Sequence, residues 1–310
     1  MQLVELRDGQ AFSGIYAVKT ATHYPDGDSP RLALTLGDST GSRKAVIWKP
    51  QPRVVQAMHV AEAVKVSGRV NPPGRYAGEL TVEQIEAVDV TPEILNALLP
   101  AFPDTHDADV EKFDALIETV VHPLCKKLLH TLLHGSKRSL FLNAVAAREV
   151  HHAYRGGLLQ HTLEVADICD ACCQRFPRLN RDLLITGALL HDFAKLDEMT
   201  HGLRAGEYTD NGMLIGHVAY GAARIIHLTL DWPESMRNHL AHLILSHHER
   251  PEHGAAKVPA TPEAVVLAHA DAISAHIAIG FRAVDSAPPG SSSYPLIGRF
   301  WSTTRPESGD

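Results

Sequence analysis

The sequence predicts a multidomain α and β protein: a small β-barrel at the N-terminus, then an all-α domain. Three observations predict it. The 310 residues exceed what one hydrophobic core commonly serves, so two domains are expected. Residues 1–90 hold about five strand-like stretches separated by turn clusters, whereas beyond residue 91 the apolar positions fall at helical spacing. Charge divides at the same place. Residues 1–90 carry ten Lys/Arg and ten Asp/Glu, so the whole net charge of −7 lies beyond them. That balance argues against tight, non-specific binding of nucleic acid by the chain as a whole and leaves room for a local basic groove.

Residues 11–19 are rich in β-formers, and 31–36 alternate apolar and polar with period two. Asp38-Ser39-Thr40-Gly41 is a turn cluster before a strand at 43–48. A helix-like stretch at 52–61 precedes strands at 63–70 and 79–85, which a Pro/Gly turn at 72–74 separates. This order resembles an OB-fold, a five-stranded barrel. Such barrels often hold single strands on a basic face that carries aromatic rings. Lys44, Trp48, Arg69, Arg75 and Tyr76 are the candidate contacts, with Tyr16, Lys19 and Arg31 able to join them. The competing reading is a barrel that binds only the rest of the protein.

Residues 91–150 read as a helical connector packing on the next domain. Thr91-Pro92-Glu93 is a capping signal, Pro100 and Pro103 mark a break, and 110–133 show helical spacing. His106, His122, His130 and His134 here read as surface or packing residues. Residues 151–280 are a run of helices. Residues 281–310 look like a loose tail, rich in Ser, Pro and Gly, from which Tyr294, Leu296, Ile297, Phe300 and Trp301 could still dock.

Hydrophobic residues make up 45% and are too evenly spread for a membrane span. The start MQLVELRDGQ lacks the basic and apolar regions of a signal peptide. Cys125, Cys169, Cys172 and Cys173 form no disulfide framework in a chain of this length, so reduced thiols in the cytoplasm are expected. Cys169 and Cys172 read as helix-packing residues because no second pair completes a zinc site. Histidine is abundant, at 20 residues, most of them between His122 and His276. That clustering hints at metal.

The chemistry centres on His191 and Asp192, which follow the apolar run 183–190. An imidazole and a carboxylate buried there need a metal ion or a charged partner. The chain supplies more of both in apolar helical settings: His161, His217, His247, His248 and Asp271. His161, His191-Asp192 and Asp271 resemble the H…HD…D signature of the HD superfamily of metal-dependent phosphohydrolases. With His217 and His247-His248 the series becomes H…HD…H…HH…D, similar to the two-metal members. The stretches GGLLQHT, DLLITGALLHDFAK, EYTDNGMLIGH and LSHHERPEHGAAKVPATPEA resemble the YhaM-type 3′-to-5′ exoribonucleases, which join an N-terminal OB-fold to an HD domain.

The resemblance implies a small OB-fold barrel at 1–90 and an all-α HD domain at 151–280. It implies a metal-dependent 3′-to-5′ exonuclease that releases nucleoside 5′-monophosphates from single-stranded RNA, with DNA left open. Two divalent ions about 3.5–4 Å apart would activate the attacking water and spread charge over the phosphate. Asp192 would bridge them. His161, His191 and Asp271 would complete one site, and His217 with His247 or His248 the other. Imidazole and carboxylate donors suit Mn, Co, Fe or Zn. Lys195, one turn beyond the pair, would hold a phosphate oxygen, so Asp192 and Lys195 are the candidate catalytic residues. His152, His201, His242, His253, His269 and His276 fit no position of the series. The expected partner is single-stranded nucleic acid, RNA favoured, with no membrane and with a homo-oligomer left open. The rival readings are a phosphohydrolase acting on a small nucleotide or cyclic dinucleotide, and a nucleic-acid-binding protein with a structural HD site.

Overall fold

The computed structural model describes residues 2–26, 29–74, 76–147, 152–204, 206–285, 287–288, 290–293, 295 and 297–302. It falls into two compact units: Met1–Ala101 with Thr200–Glu207, and Phe102–Met199 with Tyr208–Asp310.

The first unit is a closed barrel. Strands β1 (Ala11–Tyr24), β2 (Arg31–Asp38), β3 (Gly41–Trp48), β4 (Ala63–Val70) and β5 (Leu80–Val88) close in the order β1-β2-β3-β5-β4. Helix α1 (Pro52–Val60) links β3 to β4. The period-two pattern of β2 has its expected effect: Leu32, Leu34 and Leu36 are buried, while Arg31, Ala33 and Thr35 stay partly exposed. β1 is long enough to serve two neighbours. Ala11 to Ala17 pair with β4, and Ala17 to Tyr24 pair with β2, with an irregularity between Val18 and Thr20. Such a bulge bends the strand around the barrel. Asp38 closes the β2–β3 turn through Oδ1, which accepts from Thr40 N at 2.8 Å and Thr40 Oγ1 at 2.6 Å. Helix α2 (Pro92–Leu98) starts as its capping signal predicts, with Thr91 Oγ1 accepting from Ile94 N at 3.3 Å. It packs in this unit, where Leu98 joins Ala17, Ala63 and Leu203. Residues 200–207 are held to the barrel by Lys19 Nζ, which donates to Leu203 O at 2.7 Å, and by Arg204 Nη2, which donates to Ala61 O at 2.6 Å.

The second unit is helical. It contains α3 (His106–Thr119), α4 (Pro123–Leu133), α5 (Arg138–Asn143), α6 (Gly157–Arg175), α7 (Arg181–Leu190) and α8 (Lys195–Glu198). It continues with α9 (Asp210–Leu214), α10 (Gly216–Leu228), α11 (Glu234–Ser246) and α12 (Pro262–Asp285). The core is built around α7, whose residues 183–190 are all buried. Helix α7 packs against α4, α6, α11 and α12. Cys125, Cys169 and Cys173 are buried free thiols, Cys172 is half-buried, and all four lie on helices. Helix α12 is long and apolar enough to cross a membrane by length and composition. Here it packs on α6, α7 and α11 and carries the buried Asp271. Beyond it, the short pair β6 (Ser292–Ser293) and β7 (Phe300–Trp301) docks on α12, with Phe300 lying over Gly280. Tyr294 and Leu296 lie outside the described residues.

Candidate metal centre and nucleic-acid face

Helix α7 runs straight into His191 and Asp192, so it carries both side chains into the interior. His191 is 0% exposed and Asp192 2%. Four other helices aim at the same point. Helix α6 brings His161, α10 brings His217 from its first turn, the end of α11 brings His247 and His248, and α12 brings Asp271. Helix α6 begins where the chain makes a tight entry. Gly156 is left-handed at φ 81, and a Cβ on Gly157 would stand 2.0 Å from the His152 carbonyl oxygen. That explains the paired glycines ahead of His161.

Asp192 is the hub. Its Oδ2 lies 3.5 Å from His161 Nε2 and 3.4 Å from His191 Nε2. Its Oδ1 lies 3.3 Å from His217 Nε2 and 3.6 Å from His247 Nε2. Asp271 Oδ1 approaches His161 Nε2 at 3.1 Å and His191 Nε2 at 4.0 Å. The ring of His248 stands edge-on to His247 with centres 4.1 Å apart. Two groups of donor atoms result, one from His161, His191 and Asp192, the other from Asp192, His217, His247 and His248. Asp192 belongs to both.

Proton positions show what these atoms could hold. His191 Nδ1 lies 2.7 Å from Ala188 O, and His247 Nδ1 lies 2.7 Å from Ile244 O. A carbonyl only accepts, so both rings carry their proton on Nδ1. His217 Nδ1 lies 2.9 Å from Glu198 Oε1 and donates in the same way. Rings held so turn Nε2 toward Asp192. Asp192 Oδ1, His217 Nε2, His247 Nε2 and His248 Nδ1 are buried without a hydrogen-bond partner. Lone pairs facing a carboxylate repel unless a cation stands among them. The residues therefore fit divalent metal, and their imidazole and carboxylate donors suit transition ions.

Burial and charge oppose each other throughout. Burial alone would raise the Asp192 carboxyl, but Lys195 and then His191 hold it well below the usual carboxylate range. Lys195 is itself buried, with Nζ 2.6 Å from Asp192 Oδ2. Its ammonium is raised because Asp192 outweighs burial. Asp271 is depressed, with His161 overcoming burial. Burial lowers the imidazoles of His161 and His247, against the pull of the two carboxylates. Burial and then His247 push His248 down to about 2. His191 is raised, since Asp192 outweighs its burial.

All eight residues singled out in the helical part, His161, His191, Asp192, Lys195, His217, His247, His248 and Asp271, stand together. His242, His269 and His276 lie outside the cluster. His152 belongs to neither donor group, and its Nε2 lies 3.3 Å from Glu164. Glu164, Glu198 and Ser274 were not singled out. Ser274 is three residues beyond Asp271 on one helix, and Glu198 three beyond Lys195, so helical spacing from a recognised residue could have found both.

The barrel carries a second candidate surface. Strand register sets Tyr24 opposite Arg31 and Arg31 opposite Trp48; four residues along β2, Thr20 faces Thr35 and Thr35 faces Lys44. These outward side chains line a cleft of about 290 Å³ that also takes in Tyr76 and Glu79. The rings of Trp48 and Tyr76 are 6.1 Å apart, edge to face, and the Arg31 guanidinium lies 4.4 Å over the Tyr24 ring. Lys44, Trp48 and Tyr76 thus share a cleft. Arg69 does not line it: it stands on β4, between β1 and β5, with Nε 3.9 Å from Glu83 Oε1. Arg75 lies outside the described residues. Tyr16 is a core residue, 1% exposed, and Lys19 is engaged with Leu203. Tyr24 was missed because the strand, expected to end at 19, runs on to 24.

Comparison with known proteins agrees with this geometry. The HD domain family model matches residues 158–276. The 3′-5′ exoribonuclease YhaM of Shouchella clausii (strain KSM-K16) is 30% identical over 298 residues, covering 93% of this chain and 90% of that protein. Among solved structures, an aspartyl tRNA synthetase from Entamoeba histolytica matches 56% of this chain and 36% of its own at 13% identity, with a TM-score of 0.24. RecG bound to a three-way DNA junction matches 60% of this chain and 31% of its own at 12% identity, with a TM-score of 0.25. Those two matches span about a third of the longer chains and bear on neither fold nor function here. The match to the exoribonuclease spans nearly the whole of both chains, barrel and helices alike, and it identifies this chain as a member of the YhaM family of HD-domain 3′-to-5′ exoribonucleases.

Proposed function

We propose that this protein is a metal-dependent 3′-to-5′ exonuclease that hydrolyses single-stranded RNA to nucleoside 5′-monophosphates, using two divalent transition ions held around Asp192. One observation carries the reading: the two oxygens of a single buried carboxylate each face a different pair of imidazole Nε2 atoms. His161, His191 and Asp271 would hold one ion, and His217 with His247 and His248 the other. Mn, Co, Fe and Zn all suit such donors. When bound, the ions supply positive charge for the phosphate oxygens and acidity for the attacking water.

The chain's own residues do the rest. Asp192, charged at neutral pH, faces both halves of the centre. Lys195 stands beside it as a fixed positive charge for a phosphate oxygen. The nucleic-acid contacts fall to the barrel cleft, where Trp48, Tyr76 and Tyr24 offer stacking surfaces and Arg31 and Lys44 offer charge. The relative from Shouchella clausii, named for 3′-5′ exoribonuclease activity, supports the direction of attack and the choice of RNA. The decisive experiment supplies the metal-stripped protein with Mn²⁺ and a 5′-labelled single strand. Mononucleotides released from the 3′ end are the expected result. Cleavage of a small phosphodiester with no attack on the strand would support a small-nucleotide hydrolase instead.

A further inference from the structure

In each half of the cluster two histidines turn Nε2 toward Asp192, and the two are fixed by different means. His191 and His247 give their Nδ1 protons to the carbonyls three residues before them, at the ends of α7 and α11. The other ring in each half depends on a side-chain carboxylate. For His217 that group is Glu198, whose Oε1 accepts the ring Nδ1–H at 2.9 Å and the backbone N–H at 3.0 Å. For His161 the carboxylate acts through a hydroxyl. Ser274 Oγ lies 2.8 Å from His161 Nδ1 and 2.6 Å from Glu164 Oε2. A hydroxyl has one proton and a carboxylate only accepts, so that proton goes to Glu164. Ser274 Oγ must then accept from His161 Nδ1–H. Glu164 is held in turn by Gln160 Nε2 at 3.2 Å and His152 Nε2 at 3.3 Å. His152 is buried and sits at φ 48, a region that non-glycine residues seldom occupy.

From these contacts we infer that Glu164 with Ser274, and separately Glu198, are the positioning residues of two half-sites, each setting the tautomer and aim of one histidine that faces Asp192. The inference rests on the two-metal reading above. Asp271 and Ser274 lie one turn apart on α12, so a single helix supplies a carboxylate to the cluster and the hydroxyl that orients His161. Partners of this kind change metal affinity by about 10–100-fold when lost. Because Glu164 and Glu198 act on different rings, loss of either weakens its own half and leaves the other.

The test titrates Mn²⁺ into the metal-stripped full-length chain by calorimetry. The wild type takes up two ions. Ser274→Ala binds one of them about 10–100-fold more weakly and the other as before. Glu198→Ala weakens the complementary ion, and Glu198→Gln, whose amide oxygen still accepts the His217 proton, recovers most of that affinity. In Ser274→Ala, kcat on single-stranded RNA falls at low Mn²⁺ with KM for RNA unchanged, and excess Mn²⁺ restores it. Equal weakening of both ions, weakening of neither, or a kcat loss that Mn²⁺ does not restore overturns the assignment. Glu164→Ala carries the same test, with the same opposing outcomes, if circular dichroism shows Ser274→Ala unfolded. Two ions in the wild type with no effect of the variants removes the positioning role alone. Fewer than two ions in the wild type removes the two-metal reading as well.

Discussion

Lys195 Nζ lies 2.6 Å from Asp192 Oδ2, the same oxygen that faces His161 and His191. The contact joins residues three apart, across the short link between α7 and α8, and both partners are buried. A buried ammonium costs several kcal/mol unless paired, so its position here is tied to the carboxylate. The lysine adds charge to the centre without offering a donor lone pair to a metal.

Lys195→Ala should therefore lower kcat by about 10²–10³-fold, the range seen when one fixed electrostatic contact to a developing charge is lost. The two ions should remain, as counted by elemental analysis of the purified variant. Loss of metal along with activity would make the lysine a support for Asp192 instead.

Asp192→Asn keeps the shape of the side chain and removes its charge. Turnover should fall to background and both ions should be lost, since each half of the cluster faces an oxygen of this group. His227→Ala, an exposed position on α10, serves as the control and should keep activity and metal content. An Asp192→Asn protein that still binds two ions would mean that the carboxylate is not shared.

Single substitutions in the barrel cleft should act on binding alone. Trp48→Ala or Tyr76→Ala should raise KM for a long single strand about tenfold, within the roughly 1–3 kcal/mol that stacking of one base contributes. Lys44→Ala should lower the slope of log KM against log salt by about one, as expected for one phosphate contact. Arg69→Ala, outside the cleft, should change neither. Hydrolysis of a small model phosphodiester should be the same in all four, and a matching drop there would tie the barrel to the chemistry itself.

Acid should destabilise the metal-stripped protein through its buried imidazoles. His248 in the fold takes a proton only at about 2, whereas in an unfolded chain it does so near 6.5. Below pH 6.5 the unfolded state binds more protons, so stability is full above that pH and is lost as pH falls toward 2. The urea midpoint should drop between pH 7 and pH 5, and His248→Gln should lose less of it over the same interval. Identical slopes would assign the effect to other groups.

Much of the candidate metal centre was legible because its residue types are chemically hard to replace and stand out in apolar helices. His161, His191, Asp192 and Asp271 each interrupt or end a buried run, and His217 opens a helix after the exposed apolar residues Met213, Leu214 and Ile215. The residues behind them left a weaker mark. Ser274 and Glu164 are common helix residues, and only the packing of α6 on α12 reveals that one orients His161 for the other. The barrel was legible as strands in order, but not as a surface. Arg69 and Lys44 look alike in the sequence; the closing order β3-β5-β4 puts one in the cleft and the other beside Glu83. Helix α2 shows the same limit. Its cap was readable at Thr91, while its seat against Ala17, Ala63 and Leu203 depends on residues far along the chain.

That seat has an evolutionary consequence. The chain leaves the barrel unit after residue 101 and returns to it at 200–207, where Leu203 is fully buried and Arg204 ties down three carbonyls at the end of α1. A recombination event at one crossover point would hand a foreign catalytic half a barrel with an unfilled socket at Leu203. The inherited module is therefore a first segment and a distant octapeptide together. A chimaera that exchanges residues 1–101 alone between relatives should express poorly, and one that also exchanges 200–207 should recover.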